Sequence, residues 1–147
     1  MLPFRNLCLG AGEAAPPRES ATIVKPDRPT IALIEDELLL RIATATAIDD
    51  AGYNVVSAAS GVEGLALLRD HEIDLAIIDI ALPGRLDGIA LVSEARRENP
   101  RLRVVFTSGV LPAHELQLEA IGLFLQKPYR HAELLSVIDQ MLDKGDA

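Results

Sequence analysis

The chain has 147 residues, one cysteine, 49% hydrophobic residues and only 3% aromatic ones, which suits one domain with a core of Leu, Ile, Val and Ala. Its formal charge is −8, and residues 1–29 carry Arg5, Arg18, Lys25 and Arg28 against Glu13, Glu19 and Asp27, a balance of +1 that leaves −9 for the remainder. An acidic body without a basic amphipathic stretch repels phosphate backbones and anionic lipid, which argues against direct nucleic-acid binding and against a membrane-surface role.

Residues 1–29 hold five of the nine prolines, Pro3, Pro16, Pro17, Pro26 and Pro29, show no sustained periodicity, and read as a flexible N-terminal tail. The apolar patch Leu7-Cys8-Leu9 is broken by Arg5, Gly10 and Glu13, too short for a transmembrane helix and poor as the core of a signal peptide. Cys8 has no partner cysteine, so no intramolecular disulfide forms and a reducing cytoplasm is the simplest location. From Thr30 onward the pattern alternates between strand-like and helix-like segments, the mark of βα repeats and a parallel sheet.

The first strand is expected at 31–34 and the first helix at 37–51, stopped by Gly52. A short strand follows at 54–58. Ser60 with Glu63 makes a capping box for a helix reaching Asp70. The run 74–79, with Leu75, Ile77 and Ile78, is apolar enough for a central strand covered on both faces. Pro83-Gly84 marks a loop, a helix spans 87–98, and Asn99-Pro100 ends it. The fourth strand lies at 103–107, a weakly patterned fourth helix at 112–120 and the fifth strand at 122–126. A fifth helix at 130–142 presents the stripe Leu134, Leu135, Ile138 and Leu142.

Four clusters stand out because each closes an apolar run: Glu35-Asp36-Glu37, Asp79, Thr107-Ser108 and Lys127-Pro128. A parallel sheet lines up the carboxyl ends of its strands, so these groups would meet in one crevice. Adjacent carboxylates repel, and a hard cation such as Mg²⁺ offsets that cost through oxygen ligands. Asp36 and Glu37 could equally serve only the dipole of the following helix. Asp79 can act as a nucleophile toward phosphorus or be a simple turn aspartate. A Thr107 hydroxyl can donate to a phosphoryl oxygen, or be there for strand propensity. Lys127 offers a point charge for carboxylate or phosphate, and a cis bond at Pro128 could fix the turn that aims it inward.

In their order and context these motifs resemble the receiver domain of response regulators in two-component signalling. The match runs over about three quarters of the chain and rests on Ile34-Glu35-Asp36-Glu37, on Ile78-Asp79-Ile80 with Leu82-Pro83-Gly84 and Asp87-Gly88, on Phe106-Thr107-Ser108-Gly109, and on Phe124-Leu125-Gln126-Lys127-Pro128-Tyr129. The resemblance implies a receiver domain over 30–147: an α/β flavodoxin-like, doubly wound, five-stranded parallel sheet of order 2-1-3-4-5. It makes Asp79 the phosphoacceptor, served by a histidine kinase or a histidine phosphotransfer protein. Asp36 and Asp79 would ligate Mg²⁺ with the backbone carbonyl of Ala81, Glu35 acting through water. Lys127 would contact the phosphoryl group. Thr107 and Phe124 would be the switch pair, altering the surface of the fourth helix, fifth strand and fifth helix that a downstream protein target or a homodimer would use.

The loop Gly84-Arg85-Leu86-Asp87-Gly88 is one residue longer than the usual pattern, and Ala81 and Gly109 stand where receivers often carry side chains that influence the hydrolytic water. Slow self-dephosphorylation is the expectation. Asp146 is followed by one residue, so no output domain is expected and signalling would pass through another protein. Two other classes share part of the pattern. A haloacid-dehalogenase-like phosphatase would need a second aspartate where Ala81 stands, and a pseudo-receiver would bind partners without the acids, Thr107 and Lys127 acting in chemistry. The histidines His71, His114 and His131 fall on separate segments and make no metal cluster.

Overall fold

The computed structural model describes residues 24–110 and 122–146. It contains β1 (Thr30–Ile34), α1 (Leu38–Asp50), β2 (Asn54–Ala58), α2 (Gly61–Asp70), β3 (Leu75–Asp79), α3 (Gly88–Glu98), β4 (Val104–Ser108), β5 (Leu123–Gln126) and α4 (His131–Asp146). The helix expected at 112–120 lies outside the described residues, as does most of the expected tail. Boundaries agree with the sequence reading to within a few residues; the last helix runs past Leu142 to Asp146.

All strand pairings are parallel and the order is β2-β1-β3-β4-β5. β1, β3 and β4 are buried along their whole length, as interior strands covered by helices on both faces must be. Side chains alternate between faces with a period of two, and this divides the core. Ala32, Ile34, Ala76, Ile78, Val104 and Phe106 point to the layer of α2 and α3, where Leu91, Val92 and Ala95 meet them. Ile31, Leu33, Leu75, Ile77 and Val105 point to the layer of α1 and α4, against Ile48, Leu134 and Ile138.

The caps follow the sequence cues. Ser60 Oγ accepts from the Glu63 N–H at 3.2 Å, while Glu63 Oε1 accepts from Ala59 N–H at 2.9 Å, one residue earlier than the simplest reciprocal box. Asp87 caps α3 through the Ala90 N–H at 2.9 Å. The Lys127–Pro128 bond is cis. Residues 24–29, which directly precede β1, sit against the amino ends of the strands: Asn54, buried, accepts from Lys25 N–H at 2.9 Å and donates to the carbonyls of Lys25 and Arg28 at 2.8 and 3.0 Å.

Candidate functional site

The period of two also decides where the polar strand ends go. Glu35 follows Ile31 and Leu33 by twos, Asp79 follows Leu75 and Ile77, and Thr107 follows Val105, so all three project toward the α1 and α4 side of the sheet. β1 lies beside β3 and β3 beside β4, with Asp79 paired in register to Thr107. Lys127 extends β5 one residue past Gln126, its N–H donating to the Ser108 carbonyl at 2.8 Å. Residues that span 93 positions of sequence thus converge on one crevice at the carboxyl edge.

At its centre is the Lys127 ammonium, which donates to Glu35 Oε1 at 2.8 Å and to Asp79 Oδ2 at 3.0 Å. The other oxygen of Asp79 accepts from the Ala81 N–H at 3.0 Å, and Glu35 Oε2 accepts from the Glu37 N–H at 3.0 Å. Glu35 is 2% exposed and Asp79 5%; Asp36 stands at the mouth, exposed. One carboxylate oxygen each from Glu35, Asp36 and Asp79 lies within 4.8 Å of the other two.

Burial pushes the Glu35 carboxyl above its ordinary range, and the Lys127 and Glu37 hydrogen bonds recover only part of that cost. For Lys127 the largest single influence, burial, lowers the pKa, but Glu35 and Asp79 together outweigh it and hold the ammonium above its usual value. Two of the three carboxylates, Glu35 and Asp79, therefore share one lysine. Asp36 adds a third carboxylate at the exposed mouth, and three acidic oxygens grouped within 4.8 Å are a donor set that fits a hard divalent cation such as Mg²⁺.

Thr107 is buried beside Asp79, and the N–H of Ile80 donates to its carbonyl at 2.9 Å. Ala81 is exposed, and among the described residues a Cβ built at Gly109 would meet nothing within 4 Å. Phe124 is not brought into the crevice: it pairs in register with Phe106 and packs against the core on the α2 and α3 side.

The sequence reading gave no role to two neighbours. Arg41 on α1 donates to the Glu35 carbonyl at 2.8 Å, stiffening the turn that presents the acids; its place one turn into the helix after the acid cluster was the only cue. Tyr129, two residues beyond Lys127, has its phenol pushed up by burial, with Glu35 and Asp79 adding to the rise and Thr44 and Lys127 opposing it. Its pattern in sequence is that of any helix-leading aromatic.

The response regulator receiver domain model matches residues 31–139. Among curated proteins, the sensor kinase CckA of Brucella abortus is 34% identical over 122 residues, covering 80% of this chain and 13% of the kinase. The transcriptional regulatory protein AfsQ1 of Streptomyces coelicolor is 36% identical over 80 residues, covering 54% of this chain and 35% of the regulator. The chain thus spans about a third or less of the length of these relatives. Among solved structures, a CheY-like receiver domain protein from Methanospirillum hungatei has a TM-score of 0.76 at 26% identity, covering 82% of this chain and 98% of that one. The receiver domain of the hybrid histidine kinase CckA has a TM-score of 0.66 at 33% identity, covering 77% and 98%.

Proposed function

The chain belongs to the response regulator receiver domain family, and from that premise we propose that it stores a signal as a phosphoryl group on Asp79, taken from a histidine kinase or a histidine phosphotransfer protein. Receivers are phosphoacceptor switches of two-component signalling rather than turnover enzymes. The observation that carries the reading is Lys127 bridging Glu35 and Asp79 at 2.8 and 3.0 Å on the rim that also holds Asp36.

In the step proposed, an oxygen of Asp79 forms a bond to phosphorus while the bond from phosphorus to the donor imidazole nitrogen breaks, that nitrogen keeping the electron pair. Lys127, already seated between the two acids, passes to the phosphoryl oxygens as their counter-charge. Asp36, Asp79 and the backbone carbonyl of Ala81 would hold Mg²⁺, with Glu35 acting through water. Bound there, Mg²⁺ supplies positive charge against the oxygens of the transferring group. The Thr107 hydroxyl turns to the phosphoryl group and Phe124 follows it inward. The surface of β5 and α4 is the face so altered, for a downstream protein or a second copy. Leu38, Leu39 and Ile42 on α1 are exposed beside the acids, Leu39 at 75%, and such an apolar rim suits a protein donor better than a small one. Among the described residues no helix is long and apolar enough to cross a membrane, and a cytoplasmic place accords with the family.

The test is intact mass after exposure to acetyl phosphate or phosphoramidate with Mg²⁺. Wild type should gain one phosphoryl group and Asp79→Asn none; equal labelling would remove Asp79 as the acceptor. Multiple turnover of small phosphomonoesters would favour a phosphatase instead, although Ala81 offers no side chain to move a proton there.

A further inference from the structure

The connection from β3 to α3, residues 80–87, carries Ala81 and is fastened at three points. Its ends are joined by the Gly88 N–H donating to the Ile80 carbonyl at 3.0 Å. Gly88 lies so close under the strand end that an added Cβ would sit 2.3 Å from the Asp79 carbonyl oxygen. The third point belongs to another element. The Leu86 carbonyl comes down on Gly61, the first residue of α2, where a Cβ would meet that oxygen at 1.9 Å and the carbonyl carbon at 2.9 Å. These are main-chain atoms, which cannot rotate aside as a long side chain can.

The surface that receives Leu86 does not give easily. Gly61 is buried. The first turn of α2 is closed by the Ser60 and Glu63 bonds at 3.2 and 2.9 Å. One turn further on, Gly64 brings the helix against Ile34 of β1 and Leu91 of α3, where a Cβ would stand 2.8 and 3.2 Å from their side chains. The loop is held between the strand that carries Asp79 and a helix that carries none of the candidate site residues.

We infer that Gly61 is a positioning residue for the Asp79 site: by lacking a side chain it lets Leu86 seat on α2, and so sets where the main chain of Ala81 stands beside Asp79. The inference rests on the reading of that site as a Mg²⁺-dependent phosphoacceptor. An alanine at 61 would force Leu86 back by more than about 1 Å to reach ordinary contact. With Gly88 pinning the far end, the shift passes along the loop toward Ala81. Displacement of that size costs on the order of 10²-fold in a positioned reaction, and disturbing the groups behind metal ligands costs roughly 10- to 100-fold in affinity.

The experiment titrates Mg²⁺ into the full chain and follows backbone amides by NMR for wild type, Gly61→Ala and Gly64→Ala. Gly64→Ala is the control, because it adds the same methyl group to the same helix while the nearest atoms it meets are side-chain atoms of Ile34 and Leu91 and not the main chain of the loop. In wild type the Gly61 and Val62 amides should shift with the same Kd as the Ala81 amide. Gly61→Ala should weaken that Kd about tenfold or more, and its slower labelling by acetyl phosphate should recover when Mg²⁺ is raised. Gly64→Ala should lower the Tm and keep the wild-type Kd. An unchanged Kd in Gly61→Ala, or equal weakening in both variants, overturns the inference alone. If Gly61→Ala does not fold, the wild-type titration decides, and silent Gly61 and Val62 amides beside a responding Ala81 overturn it. A wild type with no Mg²⁺ response at all overturns the reading of the site and the inference with it.

Discussion

Asp36→Asn should make the metal-free protein more stable while removing part of what Mg²⁺ adds. Oxygens of Glu35, Asp36 and Asp79 lie within 4.8 Å of one another, and Lys127 bonds only Glu35 and Asp79. Two unit charges at that spacing repel by about 0.9 kcal/mol at the dielectric of water and roughly 3.5 kcal/mol at an effective value of 20. Asp36 faces two such neighbours, and the lysine between them cancels about one. The dipole of α1 favours an acid at its amino end by about 0.5 kcal/mol. Asp36 is exposed, so solvent screening brings the net gain on substitution to roughly 1 kcal/mol, about 2–4 °C in Tm for a chain of this size. The assay is thermal unfolding by circular dichroism at low salt, with chelator and then with saturating Mg²⁺. Wild type should gain about 2.7 kcal/mol at a hundred times the Kd and the variant distinctly less, so the order of the two proteins reverses. Added salt should shrink the metal-free difference, since the screening length is about 10 Å at 0.1 M. A loss of stability without metal, or an undiminished Mg²⁺ gain in the variant, would refute the shared-cation account of these acids.

The absence of a polar side chain at Ala81 and Gly109 predicts a long-lived phosphoryl group: after removal of the donor, purified phosphoprotein with Mg²⁺ should lose its label slowly, and Ala81→Asn with Gly109→Gln should speed the loss about tenfold or more by supplying groups that can hold water. Rapid loss from wild type would contradict this. The two tyrosines of the chain and its lack of tryptophan make an alkaline absorbance titration readable. Burial, with the hydrogen bond to Asp139 next, pushes Tyr53 up to about 12, and burial raises Tyr129, so neither should ionise near the ordinary pH 10 while the chain is folded. Because both folded values are raised, the stability these phenols contribute is whole below about pH 10 and is lost as pH rises through the folded values. Asp139→Asn should move one transition down and leave the other; two ordinary transitions in wild type would show that neither phenol is held as described.

Much of the molecule is local enough to be legible in the chain itself. The alternation of apolar runs marked five strands and the four helices found among the described residues, Ser60 and Asp87 marked two helix starts, and the strand ends carried Glu35, Asp36, Asp79, Thr107 and Lys127. The strand period of two even assigns Glu35, Asp79 and Thr107 to one face. These features depend on each residue's own neighbours, and periodicity records them directly. What tertiary structure alone decided is adjacency. The strand order 2-1-3-4-5 was already implied by the resemblance, but that Lys127 reaches both Glu35 and Asp79, that Phe124 packs against the core and stays out of the crevice, that Asn54 holds residues 25–28, and that Leu86 rests on Gly61 all depend on how helices and sheet close on one another. Those distances are fixed by packing across many residues at once, and no window of sequence contains both partners.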